Sequence, residues 1–417
     1  MGKKLTIVIL VAILSIATLT ACRADRSAGF SNTEVFFDDG DFIRAEGMTL
    51  KVGEEKILLK GVNLGGWLMT EDWMCPTTMD SLSSENGQYE LEDALTERLG
   101  KEKKDELFEI YRENWITEKD FEFIKSLGFN CVRLPFGWRD FTDENGEFHE
   151  NAFKYTDLAL KWCKKYSLYL ILDLHGAYGS QNGRHHSGDT REAALYGNEK
   201  NEKLTRDLWV EIAKRYKDEK VVAGYDLLNE PEGYPGGKTS KVQFDYYDVL
   251  YKAIREEDEN HLLFLEACWD VPQMTNPKNY GWENVCYEYH YYDWGNENDL
   301  SATKKFLTNK ALMESLNRLS FKVPVFIGEF TCFDNLDCWD YELDFFEEND
   351  MSWTVWTYKG CVGGNWTLIN GYERTTDNVV TPETSYERAK EIFSSLSTDN
   401  FRQNQPLIDF FKEYFSK

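Results

Sequence analysis

Eight short apolar runs separated by stretches of helical periodicity constrain this sequence more than any other feature. The runs are Ile57–Asn63, Asn130–Pro135, Leu168–Asp173, Val222–Leu228, Leu262–Glu266, Val285–Tyr289, Val323–Gly328 and Trp353–Tyr358. Each has the length of a strand, and most are followed by an amphipathic stretch with the length of a helix. These stretches are Thr117–Leu127, Phe153–Lys165, Asn201–Tyr216, Phe244–Glu257, Thr303–Leu319 and Tyr341–Asn349. Thr117 with Asp120 three residues on is a capping-box pattern. Cys268–Asn284 is Pro-rich and poorly helical. Strand–helix alternation of this kind predicts an α/β class and a single (β/α)8 barrel. An open doubly wound sheet is the alternative, but no Gly-rich phosphate loop supports it. The connection Gly65–Ile116 is too long for a turn and carries its own helical stretch, Lys101–Asn114, so a cap over the active face is expected.

The chain divides at its start. Lys3 and Lys4 precede an apolar run from Leu5 to Leu14, and small residues lead to Leu19-Thr20-Ala21-Cys22. This order reads as a secretory signal, and the run is too short to span a membrane. Cys22 looks like the acylated cysteine of a bacterial lipobox, which would hold the protein on the outer side of a membrane; a secreted form is the alternative. Residues 1–22 are therefore read as signal peptide and lipobox, 23–45 as tether and 46–417 as the barrel domain.

With 47 Lys+Arg against 73 Asp+Glu, the formal charge is −26, which repels phosphate backbones and argues against nucleic acid as a partner. Eight cysteines besides Cys22 permit disulfides outside the cytosol. Cys131 and Cys286 lie in strand patterns and are expected as buried thiols, while Cys332 and Cys338 share a loop and could pair. No CxxC spacing points to zinc.

In a parallel barrel the carboxyl ends of all strands share one mouth. Arg133, His175, Asn229-Glu230, His290 and Tyr292, Glu329 and Trp356 lie at or just past successive strand ends. Taken singly, each has a bland reading as a surface charge, an ion-pair partner or a core aromatic. Together they place Glu230 and Glu329 face to face. Glycosidic cleavage needs two carboxyl groups, one to protonate the leaving oxygen and one to stabilise or bond to the anomeric carbon. Their surroundings must push the two pKa values apart.

Five ordered motifs carry a family likeness: Leu227–Pro231, Ile327–Phe330, Val132–Pro135, His290–Tyr292 and Trp353–Lys359. From about Leu59 to Gly371 the chain resembles the family 5 glycoside hydrolases. That resemblance implies Glu230 as general acid/base, Glu329 as nucleophile and Asn229 as the partner of the sugar 2-hydroxyl. It implies that Arg133 and Tyr292 keep Glu329 charged, that His290 contacts Glu230, and that Trp356 stacks beneath the sugar. It also implies retention of configuration, with no cofactor and no metal. A closer likeness, to the exo-β-1,3-glucanases of the family, rests on Gly61–Trp67, on Glu71 as a ligand of the terminal glucose, and on Asp173–Ala177 with Gly179–Gly183. Tyr178 departs by replacing a proline, and Arg184-His185-His186 stands where Phe-Asp-Asn is usual.

The vicinal pair His185-His186 raises a metal reading. Adjacent loop residues rarely point the same way and no third ligand is evident in the sequence, so none is assigned. Trp67, Trp138, Trp269, Trp294 and Trp366 lie on strand-end loops, where one or two would stack on sugar and the rest would pack. The expectation is a monomeric, retaining β-glycoside hydrolase acting on β-1,3 and/or β-1,4 bonds of a β-glucan polysaccharide or oligosaccharide. A β-mannan or small-aglycone hydrolase of the same fold is the alternative substrate reading. A non-catalytic glycan-binding lipoprotein is the alternative of another class.

Overall fold

The computed structural model describes residues 40–80, 82, 86–231, 241–267, 270–296 and 298–417. The signal peptide, Cys22, most of the tether, Cys268 and Trp269 lie outside the described residues. Eight parallel strands close into a barrel: β1 Lys60–Asn63, β2 Cys131–Gly137, β3 Tyr169–Gly176, β4 Val222–Asp226, β5 Leu262–Glu266, β6 Val285–Tyr291, β7 Val325–Phe330 and β8 Ser352–Val355. Every barrel strand matches one of the eight apolar runs. β2, β3, β6 and β7 run two or three residues further toward the mouth than expected, and β4 and β8 end earlier.

Helices fill the crossovers where helical periodicity marks them. Glu118–Ser126 begins at Thr117, whose backbone N–H donates to Asp120 Oδ2 at 2.7 Å. Lys154–Tyr166, Glu199–Tyr216, Lys241–Arg255, Leu300–Leu316 and Leu336–Glu348 follow. Between β5 and β6 the described backbone forms only two 3₁₀ turns, Val271–Gln273 and Pro277–Asn279. The long first connection folds into Gln88–Leu99 and Lys101–Trp115 and docks on the loop after β3. There Tyr89 N–H donates to Gly188 O at 2.8 Å. A Cβ at Gly87 would lie 2.2 Å from that same carbonyl, so this closeness requires glycine.

Two small sheets outside the barrel were not legible in the sequence, one of them the pairing of Ile369–Asn370 with Arg402–Gln403. Ile43–Glu46, Thr49–Val52 and Glu55–Ile57 form a three-stranded antiparallel meander. It takes in Ile43–Ala45, which the sequence reading assigned to the tether; the domain therefore starts earlier. Ile43 and Leu50 are 1% and 2% exposed, and burial of such side chains stabilises by about 1.5–3 kcal/mol each. They join Leu59, Cys131, Tyr169, Ile171, Leu262, Phe264, Cys286 and Phe326 in an apolar plug at the foot of the barrel.

Side chains alternate along a strand, so inward positions recur every second residue. Above the plug the inward positions become ionic: Arg133 on β2, Asp173 on β3, Glu266 on β5 and Glu288 on β6, with Asp226 from β4. All five are buried. The seven described cysteines are free and buried. Cys332 and Cys338 do not pair; the Cys332 thiol instead lies 3.0 Å from Glu342 Oε2 and donates to it. Among the described residues no helix is long and apolar enough to cross a membrane.

Candidate active site

The site rests on the ionic layer. Arg133 sends its guanidinium up the barrel axis and is itself unexposed. It pairs with Asp226 at 2.8 Å, Asp173 and Glu329 at 3.1 Å, and Glu288 at 3.4 Å. It also donates to Asn63 Oδ1 at 3.0 Å and Asn229 Oδ1 at 2.9 Å. One cation cannot neutralise this many buried acids, and protons do the rest. Burial raises Asp173 to about 7 and Asp226 to about 6, against the pull of Arg133. Burial also drives Glu288 and Glu266 well above the carboxylate range.

Glu329 reaches the mouth through an irregularity. Gly328 occupies an inward position: a Cβ there would lie 1.7 Å from Glu288 Oε1. Regular alternation would turn Glu329 away from the axis. The pairing of β7 with β6 slips between Ile327 and Glu329, so Glu329 comes level with His290. A bulge of this kind re-aims a side chain. Glu329 Oε1 then meets Arg133 and Oε2 accepts from the Tyr292 hydroxyl at 2.8 Å. Burial, joined by the nearby Glu230 and Glu71, raises the Glu329 carboxyl well above the carboxylate range, against the pull of Arg133 and of the Tyr292 hydroxyl.

Glu230 follows β4 with φ of 41°, a left-handed conformation that non-glycine residues seldom adopt. Its backbone N–H donates to Glu266, which locks that turn. Its Oε1 lies 2.8 Å from His290 Nδ1 and its Oε2 lies 3.3 Å from His186 Nε2. Burial, with Arg133 and His175 nearby, holds His290 well below the usual histidine range, so the ring is uncharged at neutral pH. An oxygen of Glu230 and an oxygen of Glu329 lie within 4.8 Å of each other, with His290 between them.

The remaining expected residues converge on the same mouth. Asn229 accepts from Arg133 on its side-chain oxygen, which orients its amide nitrogen as a donor. His175 Nδ1 lies 2.7 Å from Asp173, and its ring stacks on Trp356 at 5.4 Å and 6°. Burial lowers His175 to about 3. Burial would raise Glu71, but the hydrogen bond from His185 and the nearby His186 and His175 outweigh it and hold the carboxyl at about 2. Glu71 Oε2 accepts from Trp73 Nε1 at 2.8 Å and lies 3.0 Å from His185 Nε2.

The loop tryptophans divide. Trp67 is core, stacked on Trp162 at 5.9 Å, and Trp138 packs on Tyr178 at 4.2 Å. Tyr178, where a proline was expected, thus serves packing. Trp294 is 57% exposed and stacks on Tyr292 at 5.0 Å, with Trp366 5.7 Å away. This aromatic shelf begins at the residue that holds Glu329.

Asn63, Asp173, Asp226, Glu266 and Glu288 were not singled out as site residues. Their signal was present: acids at inward positions of apolar strands require a buried cation, and Arg133 is the cation at hand. Two clusters at the mouth carry the donor types of a metal site, Glu230–His290–Glu329 and Glu71–His185–His186. His185 and His186 do not diverge as expected for loop neighbours, and Glu71 stands beside them.

A family model described as Cellulase (glycosyl hydrolase family 5) matches residues 99–361. The chain is 29% identical over 342 residues to a β-xylosidase of Phanerodontia chrysosporium, covering 74% of this chain and 68% of that protein. It is 34% identical over 253 residues to a glucan 1,3-β-glucosidase of Candida oleophila, covering 56% of this chain and 58% of that one. The chain thus spans under three fifths of the Candida relative. Among solved structures, a rutinosidase from Aspergillus niger superposes with a TM-score of 0.59 at 16% identity, covering 85% of this chain and 98% of that one. With the barrel, the ordered motifs and the matched family model, the chain belongs to glycosyl hydrolase family 5, the cellulase family.

Proposed function

We propose that the protein is a retaining β-glycoside hydrolase acting on glucosidic bonds of a β-glucan. One observation carries the reading: the oxygens of Glu230 and Glu329 approach within 4.8 Å around His290. Retaining enzymes hold their carboxyl groups about 5–5.5 Å apart, whereas inverting enzymes leave about 6.5–9.5 Å for a water. The surroundings divide the labour. Arg133 and the Tyr292 hydroxyl oppose the effect of burial on Glu329 and favour the anion that attacks the anomeric carbon. Glu230, against an uncharged histidine, gives its proton to the leaving oxygen. The C1–O bond breaks as the Glu329–C1 ester forms. Glu230, now a carboxylate, then takes a proton from water, whose oxygen displaces Glu329 from C1.

Glu71 and the β-1,3-glucosidase relative favour β-1,3 bonds and action from the chain end. The shelf of Tyr292, Trp294 and Trp366 favours a second reading, an aryl or other apolar aglycone beyond the cleavage point. Export and a lipid on Cys22 belong to the same proposal and are supported by Lys3, Lys4, the apolar run and the order Leu19–Cys22.

The test follows products over time by chromatography from laminarin, barley mixed-linkage glucan, carboxymethylcellulose and mannan, with Glu329→Ala as control. Glucose alone from laminarin, first released as the β-anomer by NMR and absent with the variant, is the expected result. First release of the α-anomer would refute the retaining mechanism. Mixed oligosaccharides from another glycan would overturn the substrate.

A further inference from the structure

The Glu71–His185–His186 cluster adjoins the two carboxyl groups that do the chemistry, with His186 Nε2 3.3 Å from Glu230 Oε2, but contains neither of them. The 3₁₀ turn His185–Ser187 is closed by Ser187 N–H to Arg184 O at 3.1 Å and Gly188 N–H to His185 O at 2.9 Å. It brings both imidazoles to one side, with ring centroids 5.3 Å apart. Glu71 arrives from the loop after β1 and is 4% exposed. One nitrogen of each histidine and one Glu71 oxygen lie within 4.8 Å of one another.

The frame around them is fixed. The loop is braced by Ser180 Oγ to Ser187 Oγ at 2.6 Å and by Asn182 Nδ2 to Glu230 O at 2.9 Å. Trp73 Nε1 donates to Glu71 Oε2, the same oxygen that meets His185 Nε2, and orients the carboxylate. Such outer contacts hold metal ligands in place elsewhere. Two imidazoles and one carboxylate are the donor set of three-ligand zinc sites, with metal–ligand distances of about 2.0–2.2 Å and a fourth position for water. Tetrahedral ligand atoms at those distances stand about 3.3 Å apart, so the present spacing, within 4.8 Å, has to close on the metal, and His186 Nε2 now meets Asn182 Nδ2 at 2.7 Å. The other two clusters are less suited. Glu230–His290–Glu329 has a guanidinium 3.1 Å from Glu329, and Glu266–Glu288–His290 is sealed inside the barrel.

We propose that Glu71, His185 and His186 bind a divalent transition metal of the zinc type at the mouth of the barrel, and that metal and sugar exclude each other there. The exclusion rests on the hydrolase reading, because Glu71 is the expected ligand of the terminal glucose and His186 touches Glu230. Binding of the metal does not rest on it.

Titration of the full-length protein with Co²⁺ tests the site by visible absorption. The expected result is intense four-coordinate bands saturating at one equivalent, collapsing on addition of Zn²⁺, and lost in both His185→Asn and His186→Asn. Glu71→Gln, which keeps the shape and removes the charge, is expected to weaken binding by more than the roughly 10–100-fold that loss of an outer-shell contact costs. Zn²⁺ is expected to inhibit glycoside hydrolysis competitively, with reversal by EDTA. Only the pale spectrum of hydrated cobalt, or bands that persist in both histidine variants, would overturn the site. Saturable bands with non-competitive or absent inhibition would overturn the exclusion. Bands without hydrolysis of any glycoside would leave the metal site standing and remove the hydrolase reading; hydrolysis without bands would do the reverse.

Discussion

Replacing Tyr292 by Phe isolates one contact. The hydroxyl donates to Glu329 Oε2 at 2.8 Å, and the ring stacks on Trp294. The variant keeps the ring and removes the donor. A hydrogen bond to a charged group contributes about 1.5–3 kcal/mol. If that stabilisation is lost to the carboxylate, kcat/KM on an aryl β-glucoside falls by roughly 10–150-fold. The same energy sets a second readout. The hydroxyl pulls the Glu329 carboxyl down, so without it the proton is held to higher pH. The acid limb of kcat/KM is expected to move up by about 1–2 pH units, at 1.36 kcal/mol per unit. Initial rates across the acidic and neutral range, with thermal melts to show that the fold persists, measure both. A kcat/KM within about threefold of the parent together with an unmoved acid limb would refute the argument that this hydroxyl keeps the nucleophile charged.

Three further outcomes are expected. Burial raises Glu314 to about 7, so the folded state keeps a proton that the unfolded chain has lost. Its stabilisation is complete below the unfolded value and disappears as pH climbs to about 7; Glu314→Gln should remove about 3 kcal/mol of that decline, read from urea midpoints on either side of the window. Gly328→Ala drives a methyl into Glu288 and should cost at least the 1–3 kcal/mol or so of ordinary overpacking, with loss of activity as the bulge shifts. Because all seven described cysteines are free, dithiothreitol should leave the melting temperature unchanged; a clear drop would reveal a bridge.

Every barrel strand was legible because a buried parallel strand is a short apolar run and little else. The meeting of Glu230 and Glu329 was legible because strand order converts sequence separation into proximity at the mouth. What escaped depends on three-dimensional coincidence. The N-terminal meander has strands of three or four residues, too short for periodicity to register. The bulge at Gly328 is a register slip between two strands and leaves no trace in either alone. The set of Glu71 with His185 and His186 joins loops more than a hundred residues apart in sequence, so scanning for ligand spacing could not find it.

The plug at the foot of the barrel also sets a direction. Phe42 lies edge-on to His261 at 5.0 Å, and Ala45 N–H donates to Asn284 Oδ1 at 2.9 Å. His261 and Asn284 immediately precede β5 and β6, so the chain enters the domain on the side away from the catalytic residues. A lipid on Cys22, as proposed, would tether the domain by its foot, the end opposite Glu230 and Glu329. A domain tethered by that end would leave its mouth free to take substrate from the medium.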